Sequence, residues 1–201
     1  MTEKLVCPVI ECLSPFILSP EEPKLRPRPA RMDKVTSADP AYTMVLDRFG
    51  KTLKREWVTD IFRVSNPPMQ MLFEACKARM EKEGRLVKKD DVGANEQLLF
   101  HATARASAGA IVRSGFDVSR AGSAFGAALG IGIYVSPFAT FSHCYSCEDS
   151  SSKRCMLLCR VLLGDTTGRD SRSDGMAAPN QYCVKREQQV FPQFVLYYQP
   201  V

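Results

Sequence analysis

The amino-acid sequence predicts an α+β fold. Three observations carry that prediction: many short apolar segments of strand length, a few stretches with apolar residues at helical spacing, and glycine or proline at the borders between them. The chain has 201 residues, of which 45% are hydrophobic and 24% charged. That balance is ordinary for a globular protein, and a core of normal size needs neither metal nor disulfide to hold it. Two parts are expected: a proline-rich, irregular tail over residues 1–40 and one folded domain over residues 41–201.

In the tail, proline removes backbone donors and fixes φ, so no regular structure is expected from Pro20 to Pro40. The apolar stretch Leu5–Leu18 could pack on the body or on a partner. Val45, Leu46, Phe49 and Leu53 then form a short helical stripe. Trp57–Val64 reads as a strand with Val58, Phe62 and Val64 on one face. Asn66-Pro67-Pro68 opens a helix, with the asparagine as cap and proline in the first turn. Met69, Leu72, Phe73, Cys76 and Met80 mark its apolar face, and Gly84 ends it. Arg85–Asn95 is polar and loop-like. Glu96–His101 reads as a strand, and Ala104–Ser114 as a helix stopped by Gly115. Ser119–Ile131 reads as a loop rich in glycine and alanine, Gly132–Ser136 as a strand edge, and Thr140–Tyr145 as a helical turn. Met156–Leu163, Gln181–Val184 and Phe194–Tyr198 complete the expected strands.

Several functions are set aside. No apolar run approaches the ~18 residues that cross a bilayer. Pro8, Glu11 and Pro15 interrupt Leu5–Leu18, which does not read as a secretory signal, so the expected location is intracellular, cytoplasmic or nuclear. The net charge of +5 is dispersed and gives no reason to expect nucleic-acid binding. Of the eight cysteines, Cys144-x-x-Cys147 with Cys155-x-x-x-Cys159 could hold zinc. Cys155, Leu157 and Cys159 alternate within an apolar run, however, as core residues of a strand do, and buried thiols are the expectation. No metal site and no disulfide are expected.

His101 ends an apolar strand, and alone it would read as structural. Gly126-x-x-x-Gly130-x-Gly132 is a weak match to a dinucleotide-fold loop, because the glycines precede a strand instead of opening a helix. The combination says more. Leu98-Leu99-Phe100-His101-Ala102-Thr103 is followed by Ile111 and Gly115-Phe116, then Gly130-Ile131-Gly132-Ile133-Tyr134, Ser142 and Tyr145. Next come Met156–Gly164, Gln181-Tyr182-Cys183-Val184, Gln189-Val190, Pro192 and Phe194–Tyr198. This order and spacing resembles the catalytic domain of the poly(ADP-ribose) polymerase family, the diphtheria-toxin-like transferases. The likeness runs from about Trp57 to Tyr198. Arg63-Val64-Ser65-Asn66-Pro67 resembles the lead-in of the mono-transferring members.

The resemblance implies an ADP-ribosyltransferase fold: two packed antiparallel-type sheets, a few flanking helices and an irregular N-terminal tail. It implies NAD⁺ as substrate and an acceptor protein not named by the sequence. His101 corresponds to the histidine that hydrogen-bonds the adenosine-proximal ribose. Ala102 takes the place of the glycine whose backbone N–H and C=O clamp the nicotinamide amide. Tyr134 and Tyr145 correspond to the tyrosines on the two faces of the nicotinamide, and Ser142 to the serine that bonds its carboxamide oxygen. Gln181 occupies the place of the polymerising enzymes' glutamate. Glutamine can bond ribose hydroxyls but cannot ionise, so it cannot take a proton from an incoming hydroxyl. The implied activity is therefore mono-ADP-ribosyl transfer with His101, Tyr134 and Gln181 as catalytic residues. The alternative is an inactive NAD-pocket domain that binds or scaffolds proteins.

Overall fold

The computed structural model describes residues 29–86, 95–120, 128–167 and 173–200. Leu5–Leu18, most of Arg85–Asn95 and the centre of Ser119–Ile131 lie outside the described residues. The elements run β1 (Arg31–Lys34), α1 (Pro40–Gly50), β2 (Val58–Ser65), α2 (Pro67–Lys82), β3 (Glu96–Thr103), α3 (Arg105–Ser114), β4 (Ile133–Val135), α4 (Ala139–His143), β5 (Arg154–Leu162), β6 (Gly175–Ala178), β7 (Gln181–Val184) and β8 (Val190–Tyr198).

They form two antiparallel sheets, as the resemblance implies. The larger has five strands in the order β1-β2-β8-β5-β3, and the smaller has three in the order β4-β7-β6. The central strands β5 and β8 are buried almost throughout, so both faces of the large sheet are covered. One face presents Cys155, Leu157, Cys159, Val161, Val195 and Tyr197. It is covered by Ala108 and Val112 of α3 and by Ile133, Val135 and Val184 of the small sheet. The other face presents Met156, Leu158, Phe194, Leu196 and Tyr198 beneath Val45 and Phe49 of α1. Period-2 alternation thus sends consecutive residues of β5 to two different cores. Phe73, Cys76 and Met80 of α2 cover the far end, at Leu162 and Phe191.

The helix borders follow from local chemistry. The Asp39 carboxylate accepts the Ala41 N–H at 2.9 Å and starts α1. The Asn66 side-chain oxygen accepts the Met69 N–H at 3.2 Å and caps α2. Its amide nitrogen donates to the carbonyls of Val112 (2.9 Å) and Arg113 (3.1 Å), so one buried asparagine joins the start of α2 to the end of α3.

Four expectations are corrected. A strand, β1, lies inside the stretch expected to be irregular; it pairs with β2 from Arg31↔Ser65 to Lys34↔Phe62. All four of its residues are exposed, so no apolar alternation announced it. Val58 packs with Ile61 against the α1 side, while Phe62 and Val64 face the α3 side. A register shift between Val58 and Asp60 inserts a residue and reverses the facing. Leu72 is 58% exposed: α2 covers only the sheet's end, and its buried stripe narrows to Phe73, Cys76 and Met80. Finally, β6 was not foreseen, and β8 begins at Val190 and runs through Pro192. The proline sits where the β5–β8 register shifts between Leu158 and Cys159 and where β2 no longer pairs β8, an irregular stretch of the kind that tolerates proline.

Candidate active site

The site grows from the edge of β3. In β3, alternate residues aim their backbone N–H and C=O at β5 or away from it. Two residues fix which. The Leu98 carbonyl accepts from the Arg48 guanidinium. Phe100 exchanges two bonds with Ser136, N–H to carbonyl at 2.7 Å and the reverse at 2.9 Å. Alternation therefore turns the N–H and C=O of Ala102 to the same outer edge. There they form a donor–acceptor pair of the kind a primary amide can match. The Ala102 Cβ points elsewhere, into the cluster beneath α1, where it is buried. Alanine in place of glycine thus puts no methyl group at the edge.

His101 takes the opposite face. Its Nδ1 lies 2.8 Å from the Tyr134 carbonyl oxygen, and a carbonyl only accepts, so Nδ1 carries the proton. Nε2 is then left as an acceptor. The ring is half-buried and meets Phe116 edge-on, with centroids 5.0 Å apart at 87°. Burial pushes the His101 pKa down, against a smaller opposite effect of the Tyr134 carbonyl. Burial thus favours the neutral imidazole.

Tyr134 sits on β4 directly opposite Cys183 of β7. Ile133, Val135 and Val184 of this sheet face the core, so Tyr134, Cys183 and Gln181 share the other face. The Tyr134 hydroxyl donates to the Gly130 carbonyl at 2.8 Å and accepts the Leu129 N–H at 2.8 Å. Burial raises its pKa, with the Tyr145 phenol among the smaller contributors. The two glycines before Tyr134 have separate reasons. Gly130 has φ +83°, which side chains rarely adopt. A Cβ at Gly132 would lie 2.5 Å from the Cys183 sulfur and from the Val184 carbonyl oxygen.

Ser142 and Tyr145 come from α4 and the turn after it, where the Tyr145 N–H donates to the Ser142 carbonyl at 2.9 Å. Ser142 is buried, and its hydroxyl donates to the Phe100 carbonyl at 3.1 Å. To reach a ligand oxygen, that proton must turn away from Phe100, whose carbonyl keeps the Ser136 N–H. Tyr145 is 40% exposed, and its ring lies against Phe141 with centroids 5.8 Å apart. A polar cluster holds this segment from behind. His143 Nδ1–H donates to the Tyr198 hydroxyl at 3.0 Å, and that hydroxyl donates to Ser146 Oγ at 2.9 Å. Ser146 Oγ in turn donates to the His143 carbonyl at 2.7 Å.

The fold thus links His101 to Tyr134 directly, puts Gln181 on the Tyr134 face, and ties Ser142 to the residue before His101. Phe116, Leu129, Gly130 and Ser136 join this constellation without having been named as site residues. The Gly130-x-Gly132 spacing before Tyr134 was the signal available for the glycine. Cys155 and Cys159 lie buried on one face of β5, where burial raises both thiol pKa values, Cys155 to about 12. Among the described residues, no group of three or more His, Cys, Asp or Glu side chains is placed to hold a metal ion.

Comparison with known proteins agrees with this architecture. The family model described as the poly(ADP-ribose) polymerase catalytic domain matches residues 40–199. The chain is 29% identical over 180 residues to a protein of Dictyostelium discoideum named a probable poly(ADP-ribose) polymerase, covering 82% of this chain and 51% of that one. It is 28% identical over 182 residues to the protein mono-ADP-ribosyltransferase PARP12 of Mus musculus, covering 82% of this chain and 25% of that one. The mouse protein mono-ADP-ribosyltransferase PARP11 is 29% identical over 150 residues, covering 65% of this chain and 44% of that one. The chain therefore spans between a quarter and about half the length of these relatives.

Proposed function

This chain belongs to the poly(ADP-ribose) polymerase catalytic-domain family, and from that premise we propose that it transfers single ADP-ribose units from NAD⁺ to protein side chains inside the cell. Members of this family use NAD⁺ as substrate. The observation that carries mono-transfer is a side chain that cannot ionise, Gln181, at the head of β7 on the face that Tyr134 shares. The two mouse relatives are both named as mono-ADP-ribosyltransferases.

NAD⁺ supplies the ADP-ribosyl group: its nicotinamide–ribose bond breaks, the electron pair leaves with nicotinamide, and an acceptor oxygen bonds the ribose carbon. The residues' share is binding and orientation. The outer edge of β3 at Ala102 offers a primary amide one donor and one acceptor. Neutral His101, held by the Tyr134 carbonyl, offers Nε2 as acceptor to a ribose hydroxyl. Tyr134 and Tyr145 supply aromatic surface for a flat ring. Gln181 bonds ribose hydroxyls without removing a proton. An acidic acceptor arrives ionised and needs no protein base, whereas a sugar hydroxyl extending a chain does. Orientation of this kind lowers the barrier by fixing the reacting atoms before the bond breaks.

Incubation with labelled NAD⁺, followed by gel electrophoresis and mass spectrometry, should show single ADP-ribose additions in the wild type. Gln181→Ala should lower the rate by about the worth of one or two hydrogen bonds, ~0.5–1.5 kcal/mol each. Gln181→Glu should change transfer to hydroxyl acceptors more than NAD⁺ affinity. Polymer made by the wild type would refute mono-transfer. Tight NAD⁺ binding with no transfer and no nicotinamide release would favour a scaffolding role.

A further inference from the structure

We propose that Ser136 is a positioning residue for this reaction: its hydroxyl sets where Gln181 stands relative to the edge of β3. The inference rests on the transferase reading above. Ser136 is 1% exposed and follows β4. Its backbone makes the two bonds to Phe100 that join the small sheet to the large one. Its hydroxyl does two further things. It donates to the Asn180 carbonyl at 2.6 Å, and it accepts the Phe138 N–H at 3.0 Å.

Each partner stands next to a candidate site residue or leads into one. Phe100 lies two residues before Ala102 and accepts the Ser142 hydroxyl. Asn180 immediately precedes Gln181, at the turn between β6 and β7. Phe138 is the residue from which α4, carrying Ser142, begins. The β4–β7 register runs Ile133↔Val184, Tyr134↔Cys183, Val135↔Tyr182, and its next step would set Ser136 beside Gln181. Beyond Val135 the two strands are no longer paired as a ladder, so the hydroxyl bond to Asn180 replaces the missing rung. Gln181 opens a four-residue strand whose neighbour on that side has already ended. Without the hydroxyl, Gln181 keeps only the β6 side, at Ala178.

The backbone bridge to Phe100 survives removal of the hydroxyl, because it uses main-chain atoms. Ser136→Ala should therefore leave the two sheets joined, and NAD⁺ should still find the β3 edge. What should loosen is the head of β7. The expected result is a kcat for NAD⁺ cleavage about tenfold lower, with KM for NAD⁺ within about twofold, since a tenfold change matches the loss of about one hydrogen bond. Ser136→Thr keeps the oxygen and should recover most of the rate. The decisive measurement is the double variant. In a Gln181→Ala background, Ser136→Ala should cost no further kcat, because the group it positions is gone. A merely structural hydroxyl would cost the same factor in both backgrounds. Equal costs, or a Ser136→Ala protein with wild-type kcat, would overturn this role while leaving the transferase reading intact. A wild-type protein that binds NAD⁺ but never cleaves it would overturn both.

Discussion

The five-stranded sheet and the three-stranded sheet are built on opposite plans. In the large sheet, β5 and β8 are buried on both faces by aliphatic and aromatic side chains. In the small sheet, one face is core and the other carries Tyr134 and Gln181, with glycines where neighbouring chain packs closely. The centre of the large sheet is held chiefly by packing. The small sheet has short strands, and its outer positions are fixed by one or two polar contacts each: Tyr134 by Gly130 and Leu129, Gln181's neighbour Asn180 by Ser136. The packed core and the candidate site are thus housed apart, and they meet at β3, which belongs to the large sheet and presents its outer edge to the small one. Substitutions at the packed centre of the large sheet and at the β3 edge that faces the small one should therefore separate stability from activity.

The largest effect should come from the centre of the large sheet. Leu158 is fully buried between Phe100 and Phe194 in the ladder. Leu158→Ala should cost ~2–5 kcal/mol of folding stability, through lost transfer energy and the cavity left behind. Chemical denaturation would measure it, and a loss under ~1 kcal/mol would mean that the sheet collapses around the gap. Where the protein remains folded at low temperature, its rate per folded molecule should be near wild type.

His101→Ala should show the reverse. It removes the hydrogen bond to Tyr134 and the Nε2 acceptor, and a misplaced substrate can cost ~100-fold in rate. The stability loss should stay near the ~0.5–1.5 kcal/mol of one hydrogen bond plus a little packing. Steady-state kinetics beside a melting curve decides the matter. Loss of stability as large as that of Leu158→Ala, with the activity of folded molecules retained, would erase the distinction between the packed centre of the large sheet and its β3 edge.

The smallest effect is one of pH. Burial lowers the pKa of both His101 and His143. A histidine whose folded pKa is depressed contributes stability that is complete above its unfolded value, ~6.5, and lost as pH falls through the folded value. Stability should be flat from pH 8 to 7 and decline below ~6.5. NAD⁺ affinity should decline at lower pH, as pH falls through the depressed folded pKa of His101, because a protonated His101 has no acceptor nitrogen. Melting midpoints and binding isotherms across this range test both. A midpoint that rises on acidification would show that neither histidine is held neutral by the fold.

The sequence by itself determined the elements with strong periodicity or capping chemistry. β5 was legible from its apolar run, α2 from Asn66-Pro67-Pro68 and Gly84, and α3 from its stop at Gly115. The candidate site was legible as ordered motifs, since His101, Tyr134, Ser142, Tyr145 and Gln181 carry recognisable residue types at recognisable spacing. β1 was not legible, because an edge strand with four exposed residues owes its conformation to backbone pairing with β2 and shows no apolar pattern. Nor was the facing of Val58, which an inserted residue reversed. Tertiary structure alone decided that Ala102 turns its methyl group into the core and its amide to the outer edge. It alone decided that Nδ1 of His101 is the protonated nitrogen, and that Ser136 joins the sheets. The physical reason is common to all of these. Periodicity records which side chains leave water, whereas these features depend on which backbone groups meet across tens of residues, and no local pattern in the chain encodes that.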